Sequence, residues 1–461
     1  MTFHAATLID RIDDLLPSVE QAFNDPNATV VSLTLAIPDL PFRTLPNGLS
    51  EFLYWARPSE DHHLLGLGDA MLCTAEGETR FEDLSAKFSG ARNRWRHIDP
   101  DNTGFTPILF TGFAFAPGQS EKGLPNASLR LPIIALQRRD MVRGLTFSWH
   151  KERGGDTSQM LAEWKQAARQ LIQAVTTPGS AAPAANPLRR LKVIPDDDIW
   201  LDRVHNAIDA IKAGTMEKVV LTRRLKVAAP RKFNTARLMT VLSYRYPGCV
   251  LLAQGDADGV AVAATPERLV SLSRGRVTSD ALAGTLRRDP EEAKDQMLGA
   301  ALRQSAKDLH EHRLVVEQIV RRLSSLCTDI HAPKHPRLLQ LRSLQHLWTP
   351  VTAKTSPDVC LLDLAALLHP TPAVGGVPRD AALKWLVENG EDRFGWYTGA
   401  YGWMTPSGEG DLSVVLRCAY LHDAYAELSA GAGIVADSNP MGELEETDLK
   451  FQAMLEALED A

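Results

Sequence analysis

The amino-acid sequence predicts an α+β fold with large antiparallel sheets packed by helices. Two observations carry this. Strand-length apolar runs follow one another, broken by Pro, Gly and charge, at both the start and the end of the chain. Helical stretches fall between these groups without the strict strand–helix–strand beat of a parallel sheet. A length of 461 residues fits two domains or one large one.

In chain order, "PILFTGFAFAP", "ASLRLPIIALQ" and "VRGLTFSWH" read as successive strands, and "AEWKQAARQLIQAV" as an amphipathic helix against them. The Pro/Ala/Gly-rich stretch 176–190 has little to bury and reads as a linker. It divides the chain into an N-terminal sheet-and-helix subdomain, 1–190, and a C-terminal region, 191–461. After it, "DDDIWLDRVHNAIDAIKAG" is a helix: acids open it, Val204, Ile208 and Ile211 share a face, and Gly214 ends it. "EKVVLTRRLKV" is a strand with Lys218, Val220 and Thr222 on one side. Strands follow at "GCVLLAQG" and "GVAVAATPERLVSLSRGRV", then one long helical region from Glu292 to Leu326. "DLAALL" leads into the loop "HPTPAVGGVPRD". "GAYGWM", "LSVVLRCAYL" and "AYAELSAGAGIV" are strands, and a last helix starts near Gly442.

Bulk properties narrow the partners. A net charge of −7 gives no electrostatic case for nucleic acid. The five cysteines are scattered without a CxxC pair, which suits a reducing cytoplasm and argues against a zinc ribbon. The N-terminal "MTFHAATLIDRIDDLL" carries acids where a signal peptide needs an apolar core, and no apolar run is long enough to span a bilayer.

The stretch "GAGIVADSNPMGELEETDLK", residues 431–450, holds the densest chemistry. Gly431, Gly433 and Ala436 fit a dinucleotide fingerprint, but Pro440 and the intervening "ADSNP" put the helix start too late to face a phosphate. A tight turn whose N–H groups hold a carboxylate is the better reading. Downstream, Glu443, Glu446 and Lys450 share a helix face bordering the apolar stripe Thr447, Phe451, Met454, Leu455 and Leu458. Two such glutamates are ordinarily a solvated face; the buried border strengthens the case for a hard cation such as Mg²⁺ without displacing that reading. Asp308 and Glu311 in "KDLHEHRLVV" have the same character, and HEH is too compact for a helical zinc motif.

The blocks "EKVVLTRR", "ATPERLV", "ALAGTLRR", "KDLHEHRLVV", "LQHLWTPV", "LLHPTPAVGGVPRDAA", "RFGWYTGAYGW", "LSVVLRCAY" and "ELSAGAGIVADSNPMGELEETDLK" occur in that order. Together they resemble the chorismate-utilising enzymes, most closely the isochorismate synthases. The resemblance implies a two-lobed fold with a deep site between sheets and helices, and it implies chorismate and Mg²⁺. It assigns Glu311 and Glu446 to the metal with Asp308 and Glu443 in support. It places Lys450, Arg417, Tyr397, Gly431 and Gly433 at the substrate's carboxylates, Gly284 and Thr285 by the ring, and His346 in the lining.

The implied reaction adds water at C2 of the ring and expels the C4 hydroxyl. Hydroxide leaves poorly, so an acid is needed for it and a base for the water. The resemblance gives these roles to Glu267 and Lys218. A glutamate of reference pKa about 4.3 must be raised by burial or a neighbouring acid. A lysine of about 10.4 must be lowered, by desolvation or by cations such as Arg223 or Arg224. Aminodeoxychorismate synthases often carry a lysine where this chain has Ala283, and anthranilate synthases lack one at the Lys218 position; both differences point to water. No glutamine amidotransferase subunit is expected, and a monomer or dimer is. Salicylate synthase, which goes on to eliminate pyruvate, is the alternative within the family. The product's expected uses are menaquinone or siderophore biosynthesis.

Overall fold

The computed structural model describes residues 5–118, 120, 123–178 and 185–461. Of the expected linker, residues 179–184 lie outside the described residues. Two large sheets dominate, one of 13 strands and one of 10 among the described residues. Every pairing is antiparallel except that of Val30–Ala36 with Trp95–Ile98. Both sheets draw strands from either side of residue 190: Val250–Gly255 pairs with Phe52–Arg57 in the first, and Ala400–Met404 with Leu109–Phe113 in the second.

The sheets face each other across an apolar layer that includes Trp55, Leu252 and Tyr420 from the first and Phe110 and Tyr401 from the second. Helices cover the outer faces. Thr157–Thr176, Thr235–Arg245 and Pro440–Glu459 pack on the first sheet, and Arg80–Arg92, Ala306–Leu323 and Leu361–Leu368 on the second. Each outer layer buries the apolar stripe of an amphipathic helix, the main source of helix stability in a globular protein.

Three apolar runs read from sequence are broken in the structure, each where the chain passes from one sheet to the other. "ASLRLPIIALQ" splits at Pro132 into Ala127–Leu131 and Ile134–Arg139. "GVAVAATPERLV" splits at Pro266, and "LSVVLRCAYL" splits before Arg417. Proline cannot donate to a ladder, so Pro132 and Pro266 end pairing in one sheet. Arg417 turns the chain with a φ of 48°, a left-handed conformation uncommon outside glycine. The long helical region is likewise two helices, Glu292–Gln304 and Ala306–Leu323, with Ser305 capping the second through the N–H of Asp308.

Candidate active site

One wall is the long strand Lys218–Ala228 paired with Tyr425–Ile434. Alternation sends Val219, Leu221, Ala432 and Ile434 into the apolar layer beneath the helix Asp197–Lys212. The other face carries Lys218, Val220 and Thr222 opposite Gly433 and Gly431, as the sequence pattern requires. The two glycines therefore lie within a paired strand, which corrects the expected carboxylate-binding turn. They are needed for space. A Cβ on Gly433 would lie 2.5 Å from Glu311 Oε1 and 2.9 Å from Lys218 Cε, and one on Gly431 would lie 3.1 Å from the Tyr397 hydroxyl. The backbone oxygen of Gly431 also accepts a hydrogen bond from Lys450 Nζ at 2.7 Å.

Two sheet crossings deliver the next pair. Glu267 follows Pro266 at one crossing and Arg417 sits in the other, and the crossings are stitched together: Val414 N–H donates to Glu267 O, and Ala264 N–H to Arg417 O. Glu267 is 3% exposed and lines the cleft, and its buried Oε1 has no hydrogen-bond partner among the described residues. Burial, and then the nearby Asp280 carboxylate, push its pKa up to about 8 against the pull of Lys218 and Lys450. Such a carboxyl holds its proton at neutral pH.

Arg417 has no carboxylate within ion-pair distance among the described residues. Its Nη2 donates to His346 Nε2 at 2.7 Å, and His346 Nδ1 lies 3.0 Å from Thr285 Oγ1. A guanidinium only donates, so Nε2 accepts and Nδ1 carries the proton. Burial, with Arg417 and Lys450 beside it, keeps the ring neutral by pushing its pKa well below the usual histidine range. Thr285 thus receives a bond from His346 and keeps its own hydroxyl proton for the cleft. Gly284, at φ 76°, forms the register break in Arg276–Arg287 that brings Thr285 opposite His346. Burial pushes the Tyr397 hydroxyl pKa upward, so it stays a neutral donor.

The acids come from two helices. Glu311, in the second turn of Ala306–Leu323, and Glu446, in Pro440–Glu459, both line the cleft. Each is held by a lysine: Lys218 Nζ is 2.9 Å from Glu311 Oε1, and Lys450 Nζ is 2.7 Å from Glu446 Oε1. Lys218, 1% exposed, is buried behind Glu311 and Gly433, which line the cleft in front of it. Glu443 pairs with Lys307 at 2.7 Å. Burial is the largest influence on Glu311 and acts upward, but Lys218, Lys307 and Lys450 outweigh it and leave its pKa below the usual carboxylate range. Burial raises Asp308 and Glu443, and Glu446 adds to both by like-charge repulsion.

Crowded carboxylates of this kind fit a hard divalent cation, which takes one or two carboxylates and water. Among the described residues no three His, Cys, Asp or Glu side chains converge on one point, and lysines supply the neutralising charge. Arg223 and Arg224 do not assist Lys218. Arg223 lies on the opposite strand face, bonded to Thr447 and paired with Asp197 and Asp448; Arg224 pairs with Glu427 and Asp392, six residues along. Sequence reasoning passed over Lys307, the partner of Glu443, and Asp280, the acid beside Glu267. Lys307 adjoins Asp308 and was within reach of a charge-pattern reading; Asp280 comes beside Glu267 across the local hairpin of Arg268–Ser273 with Arg276–Arg287, which the sequence reading did not resolve.

Residues 17–459 match the family model described as chorismate binding enzyme. The chain belongs to that family. Its relatives include the salicylate biosynthesis isochorismate synthase of Pseudomonas aeruginosa, 33% identical over 88% of this chain and 84% of that protein. The isochorismate synthase MenF of Bacillus subtilis is 28% identical over 96% and 97%. The solved structure of MenF, the menaquinone-specific isochorismate synthase of Escherichia coli, has the same fold, with a TM-score of 0.76 over 97% of this chain and 99% of that one at 23% identity.

Proposed function

We propose that this protein converts chorismate to isochorismate with Mg²⁺. The observation that carries the reading is Glu267: a buried carboxyl raised to about 8, its Oε1 unpartnered among the described residues, in a cleft also lined by Glu311, the partner of the buried Lys218. Glu267 holds a proton for the departing C4 hydroxyl, and Lys218, once its amine is free of Glu311, takes one from the water that attacks C2. Arg417, held by neutral partners, is left to receive a substrate carboxylate as a fork. Thr285 offers its hydroxyl proton beside the ring, and Tyr397 and Lys450 bound the remaining polar side. Glu311 and Glu446 would hold Mg²⁺, with Asp308 and Glu443 behind them; the bound ion would orient the ring carboxylate and draw charge from the ring. Ala283 lines the cleft, so no amine stands there to form a covalent intermediate. Water as the nucleophile removes the need for an ammonia-supplying amidotransferase subunit. The reading extends to a cytoplasmic monomer or dimer; no helix among the described residues is long and apolar enough to cross a membrane.

Product analysis with purified protein, chorismate and Mg²⁺ tests this. Isochorismate alone is the expected outcome. Salicylate with pyruvate would move the assignment to a salicylate synthase, and intact chorismate would overturn both. Glu446→Gln is expected to weaken Mg²⁺ binding by about tenfold or more, measured by calorimetry. An unchanged Mg²⁺ affinity would remove Glu446 from the metal site.

A further inference from the structure

Behind the catalytic cleft is a second opening of about 560 Å³, within the size range of small-molecule sites. Arg80 and Phe81 line it where the helix Arg80–Arg92 begins, and Arg379 and Leu383 where Arg379–Glu388 begins. Neither helix start has a side-chain cap hydrogen bond among the described residues, so first-turn N–H groups remain for an anion, although Glu82 and Asp83 stand in the first turn of one helix and Asp380 in that of the other.

Neither Arg80 nor Arg379 has an ion pair among the described residues, although Asp380 and Glu78 act on Arg379 and Glu78 on Arg80 from farther off. Arg80 is 4% exposed, yet among the described residues its guanidinium donates only to neutral oxygens, those of Asn126, Ala114 and Phe115, and its Nε has no partner. Arg379 makes no hydrogen bond or ion pair among the described residues. Arg322 is bonded to the carbonyls of Leu368 and Pro370, and its charge opposes that of Arg379. Burial, with Arg379 adding repulsion, brings Arg80 down to about 10 against the pull of Glu78. Four acids also line the opening, but Glu391 accepts from Thr222 and faces Arg393, Glu388 faces Lys384, and Glu78 and Glu82 are exposed to water. Phe81, Phe115 and Leu383 give the rest of the lining an apolar character.

We propose that this opening binds a small organic carboxylate with an apolar body. The carboxylate meets Arg80 and Arg379, and the body rests on Phe81, Phe115 and Leu383. Its position gives occupancy a route to the catalytic wall. Arg393 lies 3.6 Å from the Phe115 ring centroid and donates to Val220 O, Val374 O and Thr398 Oγ1, three residues that line the chorismate cleft.

Calorimetry of the whole protein with 1-naphthoate tests the site. The expected Kd is below about 1 mM, and it persists in the equilibrated mixture of chorismate and its product. Arg379→Glu is expected to weaken binding by about tenfold or more, the loss of one charge-assisted contact, with kcat/KM for chorismate and melting temperature unchanged. Arg379→Gln serves as the milder variant should the charge reversal unfold the helix start. The uncharged 1-naphthalenemethanol should bind at least about tenfold more weakly. Absence of binding, displacement by the chorismate mixture, equal binding to a folded Arg379 variant or equal affinity for the alcohol would each overturn the proposal.

Discussion

Lys218→Ala lowers kcat with chorismate by about 10²–10⁴-fold, the range for a removed general base, while the Kd for chorismate changes by less than about tenfold. The reasoning rests on placement. Lys218 is buried behind Gly433 and touches Glu311, whereas Arg417, the fork offered to a substrate carboxylate, stands on a separate sheet crossing. Its removal therefore strikes the proton step and leaves the fork in place. It also strips Glu311 of its nearest cation, and unpairing a buried charge costs stability, on the order of 3–5 kcal/mol when burial is complete. Lys307 and Lys450 still act on Glu311 and reduce that loss. Lys218→Arg separates the two effects, because it keeps the positive charge and cannot accept a proton near neutral pH. An arginine variant with near wild-type turnover would show that Lys218 is needed only as the partner of Glu311, and its assignment as base would fall.

How much of this was legible in the sequence depends on how local each feature is. The face formed by Glu443, Glu446 and Lys450 follows from helical spacing beside an apolar stripe, and the structure buries that stripe as expected. The site-facing side of Lys218, Val220 and Thr222 follows from strand alternation in the same way. The same alternation sets Arg223 on the opposite face, a consequence open to reading from sequence. Glycine within a paired strand was harder, because glycine ordinarily weakens a strand and suggests a turn. Here pairing with Lys218–Ala228 over its whole length holds the strand, and the missing side chains make room for Glu311, Lys218 and Tyr397. Glu267 and Arg417 were the least legible from residues alone. Each sits where an apolar run breaks to change sheets; Pro266 marks the first break locally, but which sheet each half joins is set by partners far away in sequence. The family resemblance supplied their roles; the crossings explain how an acid and a cation come to flank one cleft.

Glu267→Gln abolishes turnover, again by about 10²–10⁴-fold, and makes the protein more stable than wild type at alkaline pH. A glutamine keeps the shape of the side chain but cannot deliver a proton to the departing hydroxyl. The stability claim follows from the raised pKa. In the unfolded chain this carboxyl titrates near 4.5, and in the folded protein near 8. The folded state thus binds the proton more tightly, and the stabilisation is fully present below about pH 4.5 and lost as pH rises through 8. The difference sets a ceiling of about 5 kcal/mol, and relaxation of the site around the charge lowers the realised loss to roughly 1–3 kcal/mol. Wild-type kcat falls over the same upper range, since the acid must be protonated to act. Asp308 and Glu443 also have raised values, so wild type and variant both lose some stability on alkalinisation. The difference between their melting curves at pH 6 and pH 9 isolates Glu267: wild type should lose more. Equal losses in the two proteins would mean that the folded carboxyl is ionised at neutral pH, and Glu267 could then not serve as the acid that releases the hydroxyl.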